Sequence, residues 1–384
     1  MSPDPCYSTV AFVVVIVAAS FVSADVRIER LPEGAIHPQA AVDEDGTVHM
    51  IYYRGDPGDG DIYYVHRAAD PAAFTEPIRV NSQAGSAVAA GTVRGPRMTL
   101  GRAGRVHVAW MGSSSARPKA PGDATPMLYS RLNDAGTAFE PQRNIIQHAV
   151  GIDGGGTVAA DREGRVYVIW HGRGERQGEA HRRLYVASSN NDGQKFAREV
   201  PASPSELGAC ACCGVEAHVD AQGSLHILYR SAKASAERGA WLVSSRDHGR
   251  NFNAAELEPW PINACPMSTG AFAVTDDRLI VAWETQQRVS FASKLVAADA
   301  AGQPHRATDQ QASQKHPALA VNDAGEVLLG WAENTAWGRG GAVAWQRYDA
   351  DGTPFGEPGR AEGLPTWSRP AVWPAGDGSF VICY

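Results

Sequence analysis

The chain has 384 residues and a net charge of −7, with 43% hydrophobic residues, 40 glycines and 24 prolines. That content can fill a large core and many turns. The acidic balance and the lack of a long basic run argue against a nucleic-acid partner.

Residues Val10 to Val22 form an apolar run, and Val22-Ser23-Ala24 then offers a small-residue cleavage pattern before Asp25. The run is too short to cross a bilayer as a helix and reads as a secretory leader over residues 1–24, although Asp4 precedes it and no Lys or Arg does. The remainder, residues 25–384, is expected to be a single secreted or periplasmic domain with no integral membrane segment.

From His37 onward one pattern recurs: an apolar strand, a turn with Asp or Gly, then a strand that ends in an aromatic. It reads HPQAAVDEDGTVHMIYY from His37, GPRMTLGRAGRVHVAW from Gly95 and GGTVAADREGRVYVIW from Gly155. It returns as GVEAHVDAQGSLHILY from Gly214, TGAFAVTDDRLIVAW from Thr269, HPALAVNDAGEVLLGW from His316 and RPAVWPAGDGSFVICY from Arg369. Each copy is a hairpin of strands A and B. Most are followed by a third strand, such as RLYVASS or AWLVSSR, then a tight turn, then a fourth strand. No helical period intervenes. Four-stranded sheets repeated at intervals of about 45–60 residues predict an all-β fold, a β-propeller. Six units are full and the last is a hairpin. Residues Asp25 to Leu31 look like a D strand that completes the last blade, which favours seven blades over the alternative of six.

The turn between strands C and D reads SSRDHGRNF over Ser244 to Phe252 and SNNDGQKF over Ser189 to Phe196. An aspartate can bond its own backbone two residues on, and glycine supplies positive φ. The Ser-x-Asp-x-Gly-x-x-Phe spacing resembles the Asp-box, or bacterial neuraminidase repeat, of the sialidase-like propellers. The resemblance implies that fold over nearly the whole mature chain. It also implies that Asp247 and Asp192 are turn residues on the face away from the active centre.

On the opposite face, the positions before or within early strand A carry His37, Arg94, Arg97, Asp153, Glu216, Thr269, His316 and Arg369. Those after strand B carry Arg54, His171, Arg230, Glu284 and Glu333, with Trp337 and Trp367 in neighbouring loops. Aromatic faces and polar groups together can hold a sugar. A sialidase further needs arginines that clamp a carboxylate bidentately and a carboxylate for acid–base work. The family's arginine-isoleucine-proline signature is not found; its place reads Ala35-Ile36-His37-Pro38. Arg97, Arg230 and Arg369 are the candidate anion contacts, with His37, His316 and Trp367 beside them, and Glu216 or Glu284 is the candidate catalytic carboxylate. Solvated or paired loop charges are the competing reading of each, and packing on the following proline is that of the two histidines.

The stretch Cys210-Ala211-Cys212-Cys213 and, one unit later, Cys265 both fall in D–A connections of adjacent blades. They are expected to be neighbours. Disulfides in an oxidising compartment, a soft metal such as zinc or copper(I), and a redox thiol site remain open. Cys383 is expected to be a buried free thiol. His49, His107 and His226 recur at one strand-B position and read as polar positions of half-buried strands. Two functions remain open: an exo-acting glycoside hydrolase on sialic acid or a related acidic sugar, with no required cofactor, or a non-catalytic propeller that binds a glycan or protein.

Overall fold

A computed structural model describes residues 26–68, 73–275, 277–295, 302–308 and 312–384. The expected leader and Cys6 lie outside the described residues. The chain forms seven separate sheets, six of four strands and one of three. Their innermost A strands are Ala35–Val42, Arg97–Leu100, Gly156–Ala160, Glu216–Val219, Gly270–Val274, Gln314–Val321 and Ala371–Pro374. Each touches the A strand of the next blade, and the seventh touches the first, so the ring closes. No helix of the described residues is long and apolar enough to cross a membrane.

The burial pattern explains why the B strands are apolar on both faces. In Val166–Gly172 of blade 3, Val166, Val168 and Trp170 pack into a cluster shared with blade 2, while Tyr167 and Ile169 pack into one shared with blade 4. Alternate residues of a strand point to opposite faces, and in a propeller both faces meet a neighbouring blade. One such cluster fills each of the seven seams. Cys383 is 1% exposed within the cluster between blades 7 and 1 and forms no disulfide.

The A–B turns are held by an acceptor at their first position. Oδ1 of Asp43 accepts the amides of Asp45 and Thr47, and Oδ1 of Asp220 accepts those of Gln222 and Ser224. Gly46 and Gly223 supply the left-handed step at φ of 76° and 79°. His49 and His226 then bond these same aspartates through Nε2 at 3.0 and 2.9 Å, and Tyr64 and Ser244 hydroxyls through Nδ1. They are satisfied structural groups.

Ring closure differs from the expected D strand. Val26–Glu29 takes the third position of blade 7 and runs parallel to its neighbour Phe380–Cys383, with Val26 opposite Phe380 and Glu29 opposite Cys383. Arg67 of blade 1 donates to Glu29 at 2.8 Å, and Arg30 lies over the Tyr384 ring while donating to the carbonyls of Glu362 and Gly363. These contacts latch the first and last segments together.

The C–D turns also carry a correction. In blade 4, Asp247 accepts from Ser245 and from the amides of Arg250 and Asn251. In blade 3 the equivalent acceptor is Asn191, which meets Ser189 and the amide of Lys195. Asp192 sits one residue on, at φ 60°, where blade 4 has His248 at φ 62°. Asp192 is 1% exposed and reaches into blade 2, where it pairs with Arg105 at 2.6 Å and Arg131 at 3.2 Å. It is a seam residue.

Candidate functional site

Two blades aim a histidine early in strand A inward by the same device. Pro38 and Pro317 have no N–H for the ladder, and the register shifts at Ile36/Gln39 and at Lys315/Ala318. His37 and His316 occupy these bulges at φ 55° and 52°. The prolines therefore set the backbone that aims the imidazoles, instead of serving as their packing surface. His37 Nε2 faces the Ala89 carbonyl at 3.1 Å, and its ring lies against Gly95 closely enough that a Cβ there would overlap it. His316 Nδ1 meets Thr269 Oγ1 at 3.2 Å.

Three charged groups from blades 2, 4 and 7 converge between them. Arg97 donates Nε–H to Glu216 Oε1 at 2.9 Å, and Arg369 donates Nη1–H to the same oxygen at 3.2 Å. All three side chains are buried. Two cations around one carboxylate leave an excess of positive charge. Arg97 Nη2 and Arg369 Nε have no hydrogen-bond partner, and neither does His37 Nδ1. Burial and the charge of Arg97 lower Arg369 to about 10. Burial, with Arg369 and Arg97, holds His37 well below the ordinary imidazole value, and burial with Lys315 and the same arginines does so for His316. Both imidazoles are therefore neutral at neutral pH.

A second carboxylate lies in blade 5. Glu284 is fully buried; Oε1 accepts the Gln287 amide at 2.7 Å, and Oε2 has no partner. Burial raises its pKa against the opposing charges of Arg230 and Lys315. Arg230 donates Nη1–H to the Arg238 carbonyl within blade 4, while Nε and Nη2 reach Ser268 Oγ and the Glu284 carbonyl and fasten blade 4 to blade 5, so all its nitrogens are engaged. At the rim, Trp337 is 58% exposed and meets Trp367 edge-on, with centroids 5.6 Å apart. Trp337, Arg94 and the Met267 methyl crowd around Gly91. Arg94 pairs with Asp153 at 2.7 Å, and Glu333 is occupied by Trp331 and Arg360. A separate hollow on the opposite face, lined by Asp43, Asp323 and Trp373, is remote from these groups.

No protein-family model matches this sequence, and no curated protein matches it. Solved structures do. A Hadza microbial sialidase superposes with a TM-score of 0.52 over 84% of this chain and 72% of its own, at 16% identity. The intramolecular trans-sialidase from Ruminococcus gnavus, in complex with oseltamivir carboxylate, gives 0.52 over 84% and 96% at 10% identity. An alpha-L-arabinanase from Penicillium chrysogenum, complexed with arabinobiose, gives 0.53 over 83% and 94% at 13% identity. The chain has the seven-bladed propeller fold that these structures share. Identities this low speak for fold, and chemistry must be argued from the site.

Within this seven-bladed propeller, the axial centre gathers Arg97, Arg369, Glu216, His37 and His316, all named from the sequence. Glu284 and Arg230 sit together one blade away, and Trp367 lies in the rim. The pairing of Arg97 and Arg369 with Glu216 is not readable from the sequence, because it joins residues 119 and 153 positions apart. Lys315 and Ser268, which shape the charge and anchor Arg230, carry no sequence signal beyond their place beside strand A.

The expected disulfides are absent. Cys210, Cys212, Cys213, Cys265 and Cys383 are all free. Cys210 Sγ lies 3.5 Å from Cys212 Sγ and 3.3 Å from Cys213 Sγ, against about 2.05 Å for a bond. Cys265 is exposed, and its sulfur groups with Cys212 and Glu179 within 4.8 Å. The two D–A segments are adjacent, as their sequence position requires: the Gly214 amide donates to the Ser268 carbonyl at 2.9 Å.

Proposed function

We propose that the chain is an exported carbohydrate-active propeller that takes sialic acid or a related acidic sugar at the face where the A strands begin, and hydrolyses its glycosidic bond. One observation carries this reading: the unmet N–H groups of Arg97 and Arg369 at the ring centre, two buried cations with donors to spare. Such groups suit a carboxylate, which guanidinium binds through paired hydrogen bonds. Trp337 and Trp367 provide the apolar faces for a sugar ring at the rim. Glu284, whose pKa burial raises, is the group that gives its proton to the leaving glycosidic oxygen; water adds its hydroxide to the anomeric carbon and its other proton restores Glu284. Glu216, paired with two arginines, faces the positive charge that develops on the ring. The glycosidase names among the structural neighbours support a glycan as the ligand.

A second reading, binding without turnover, is favoured by a specific feature: Glu216 already satisfies part of both arginines from within the fold. The experiment is a panel of fluorogenic sialosides and uronides, with calorimetric titration of the corresponding free sugars. Turnover that Arg369→Ala abolishes supports hydrolysis. Binding without turnover supports the second reading. Neither turnover nor binding across the panel overturns both.

A further inference from the structure

The loop over residues 207–214 has no part in the carbohydrate reading, yet it concentrates three of the described cysteines. The geometry points to a metal site: Cys210, Cys212 and Cys213 together bind one thiophilic closed-shell cation, Cu(I) or Zn(II), as thiolates.

The three sulfurs lie within 4.8 Å of one another, and no covalent bond joins any pair. A trigonal or tetrahedral ion with metal–sulfur bonds of about 2.3 Å sets its sulfurs roughly 3.8–4.0 Å apart. The observed 3.3 and 3.5 Å separations from Cys210 are within about half an ångström of that spacing. Small side-chain rotations open the triad enough to admit the ion.

The backbone holds this arrangement before any ion arrives. Glu179 of blade 3 takes the Ala209 amide on its carbonyl at 3.1 Å and the Ala211 amide on Oε1 at 2.9 Å. The Cys210 amide donates to the Arg230 carbonyl at 3.0 Å, and the Cys213 carbonyl faces His171 Nε2 at 2.9 Å. A loop pinned at four places presents its side chains in one geometry, which is what an ion-binding shell needs.

Charge favours the anionic form the ion requires. Arg238 is 4% exposed and lies against Cys210; one nitrogen bonds Glu179, while Nε and Nη1 have no partner. A buried guanidinium that Glu179 meets on one nitrogen turns two remaining N–H groups toward the sulfur triad, and these offset the charge of thiolates. The donor set also selects the ion. Sulfur alone excludes hard cations such as Mg²⁺ and Ca²⁺, and it suits Cu(I) or Zn(II). A fourth ligand for Zn(II) is at hand, since Glu179 and Cys265 both approach Cys212 from the rim. Binding displaces the protons of the thiols that ligate, up to one for each.

The test uses the full chain, reduced and kept anaerobic. Cu(I) is supplied from a chromophoric chelator in one arm, and Zn(II) against a chromophoric indicator in the other. The expected result is one equivalent bound in at least one arm, with thiolate-to-metal absorption in the near ultraviolet and proton release. The arm that binds tighter identifies the ion. Cys212→Ser is expected to weaken binding by at least about 100-fold, above the usual cost of losing an outer-shell partner. Cys265→Ser is expected to keep the one-equivalent stoichiometry. Failure of the wild-type chain to take up either ion overturns the proposal, whatever the variants do. So does unchanged binding by a folded Cys212→Ser variant, or a native disulfide within the triad in a protein whose reduced form binds no metal.

Discussion

Arg97 of blade 2 donates its Nε–H to Oε1 of Glu216 in blade 4, across the top of the ring and 119 residues along the chain. Blade 3 lies between them, so the bond spans a seam-to-seam distance that no β-ladder covers. Arg369 of blade 7 shares the same oxygen. The three groups thus brace the centre while leaving two donors unmet.

Glu216→Gln removes the only charge that opposes these two buried guanidinium groups in direct contact with them among the described residues. Breaking a buried pair by deleting one partner costs about 3–5 kcal/mol. The variant is expected to melt well below the wild type in a calorimetric scan. An unchanged melt would show that the triad does not brace the ring.

Acidification is expected to destabilise the fold through His37 and His316. Both have folded pKa values below the ordinary imidazole value because of burial and nearby arginines or lysine. Between that depressed value and about 6.5, the unfolded chain binds protons that the folded chain does not, so stability falls as pH drops through this window. The slope is up to about 1.4 kcal/mol per pH unit for each histidine. Melting temperatures measured from pH 7.5 down to pH 5 check this. The double change His37→Gln with His316→Gln is expected to make the profile shallower, the remainder being due to His107, His171 and His218, whose pKa values burial also lowers.

Much of this architecture was legible because a propeller writes its fold into the B strands. A strand buried on both faces is apolar throughout, and seven such strands at similar spacing leave few alternatives. The parallel pairing of Val26–Glu29 was not legible, because four residues of that pattern suit either direction and either of two positions. Asp192 differs from the expectation because the turn has acceptors at two adjacent positions: Asn191, which aligns with Asp247 by its spacing to the glycine and phenylalanine, takes the turn's hydrogen bonds, and Asp192 at φ 60° turns to blade 2. The site residues were individually visible as polar groups flanking strand A. Their convergence depends on how seven blades close on one axis, which no local pattern records. The bulge before Pro38 and Pro317 was the one local clue to where His37 and His316 point.

Trp337→Ala is expected to weaken glycan binding while leaving the fold intact. The side chain is 58% exposed and touches Trp367 by its edge, so it contributes little to the core. An aromatic contact of this kind adds about 0.5–1.5 kcal/mol, which corresponds to roughly 2- to 13-fold in affinity. Calorimetric titration of the sugar against both proteins, with melting curves as the control, measures the two halves of this expectation. A lowered melt with unchanged affinity would place Trp337 in the structure instead of the binding surface.

Glu284→Gln separates chemistry from stability. Burial raises the Glu284 pKa, so the folded chain holds a proton that the unfolded chain loses as pH rises above the ordinary carboxyl value. Stability therefore falls as pH rises through the window up to the raised pKa, and a neutral amide of the same shape removes that loss. The variant is expected to be as stable as the wild type or more so at neutral pH. Loss of a general acid costs about 10²- to 10⁴-fold in turnover. Stable protein with unreduced turnover on a glycoside would remove Glu284 from the acid's role.

Two aspartates in equivalent turns of neighbouring blades offer the sharpest contrast. Asp192 is 1% exposed and joins Arg105 and Arg131 of blade 2, with His107 at 3.5 Å. Replacing it with alanine removes the buried counter-charge of two guanidinium groups, which keep Asp134 and Glu140 nearer the surface, so the cost falls toward the low end of about 3–5 kcal/mol. Asp247 faces solvent within its own turn, bonded to Ser245 and the amides of Arg250 and Asn251. Asn251 also donates its side-chain amide to Oδ2 of Asp247, so several local bonds share the task and water can replace them. Asp247→Ala is therefore expected to lower the melt far less than Asp192→Ala. Equal losses would mean that the turn, and not the seam between blades 2 and 3, sets the stability of this side of the ring.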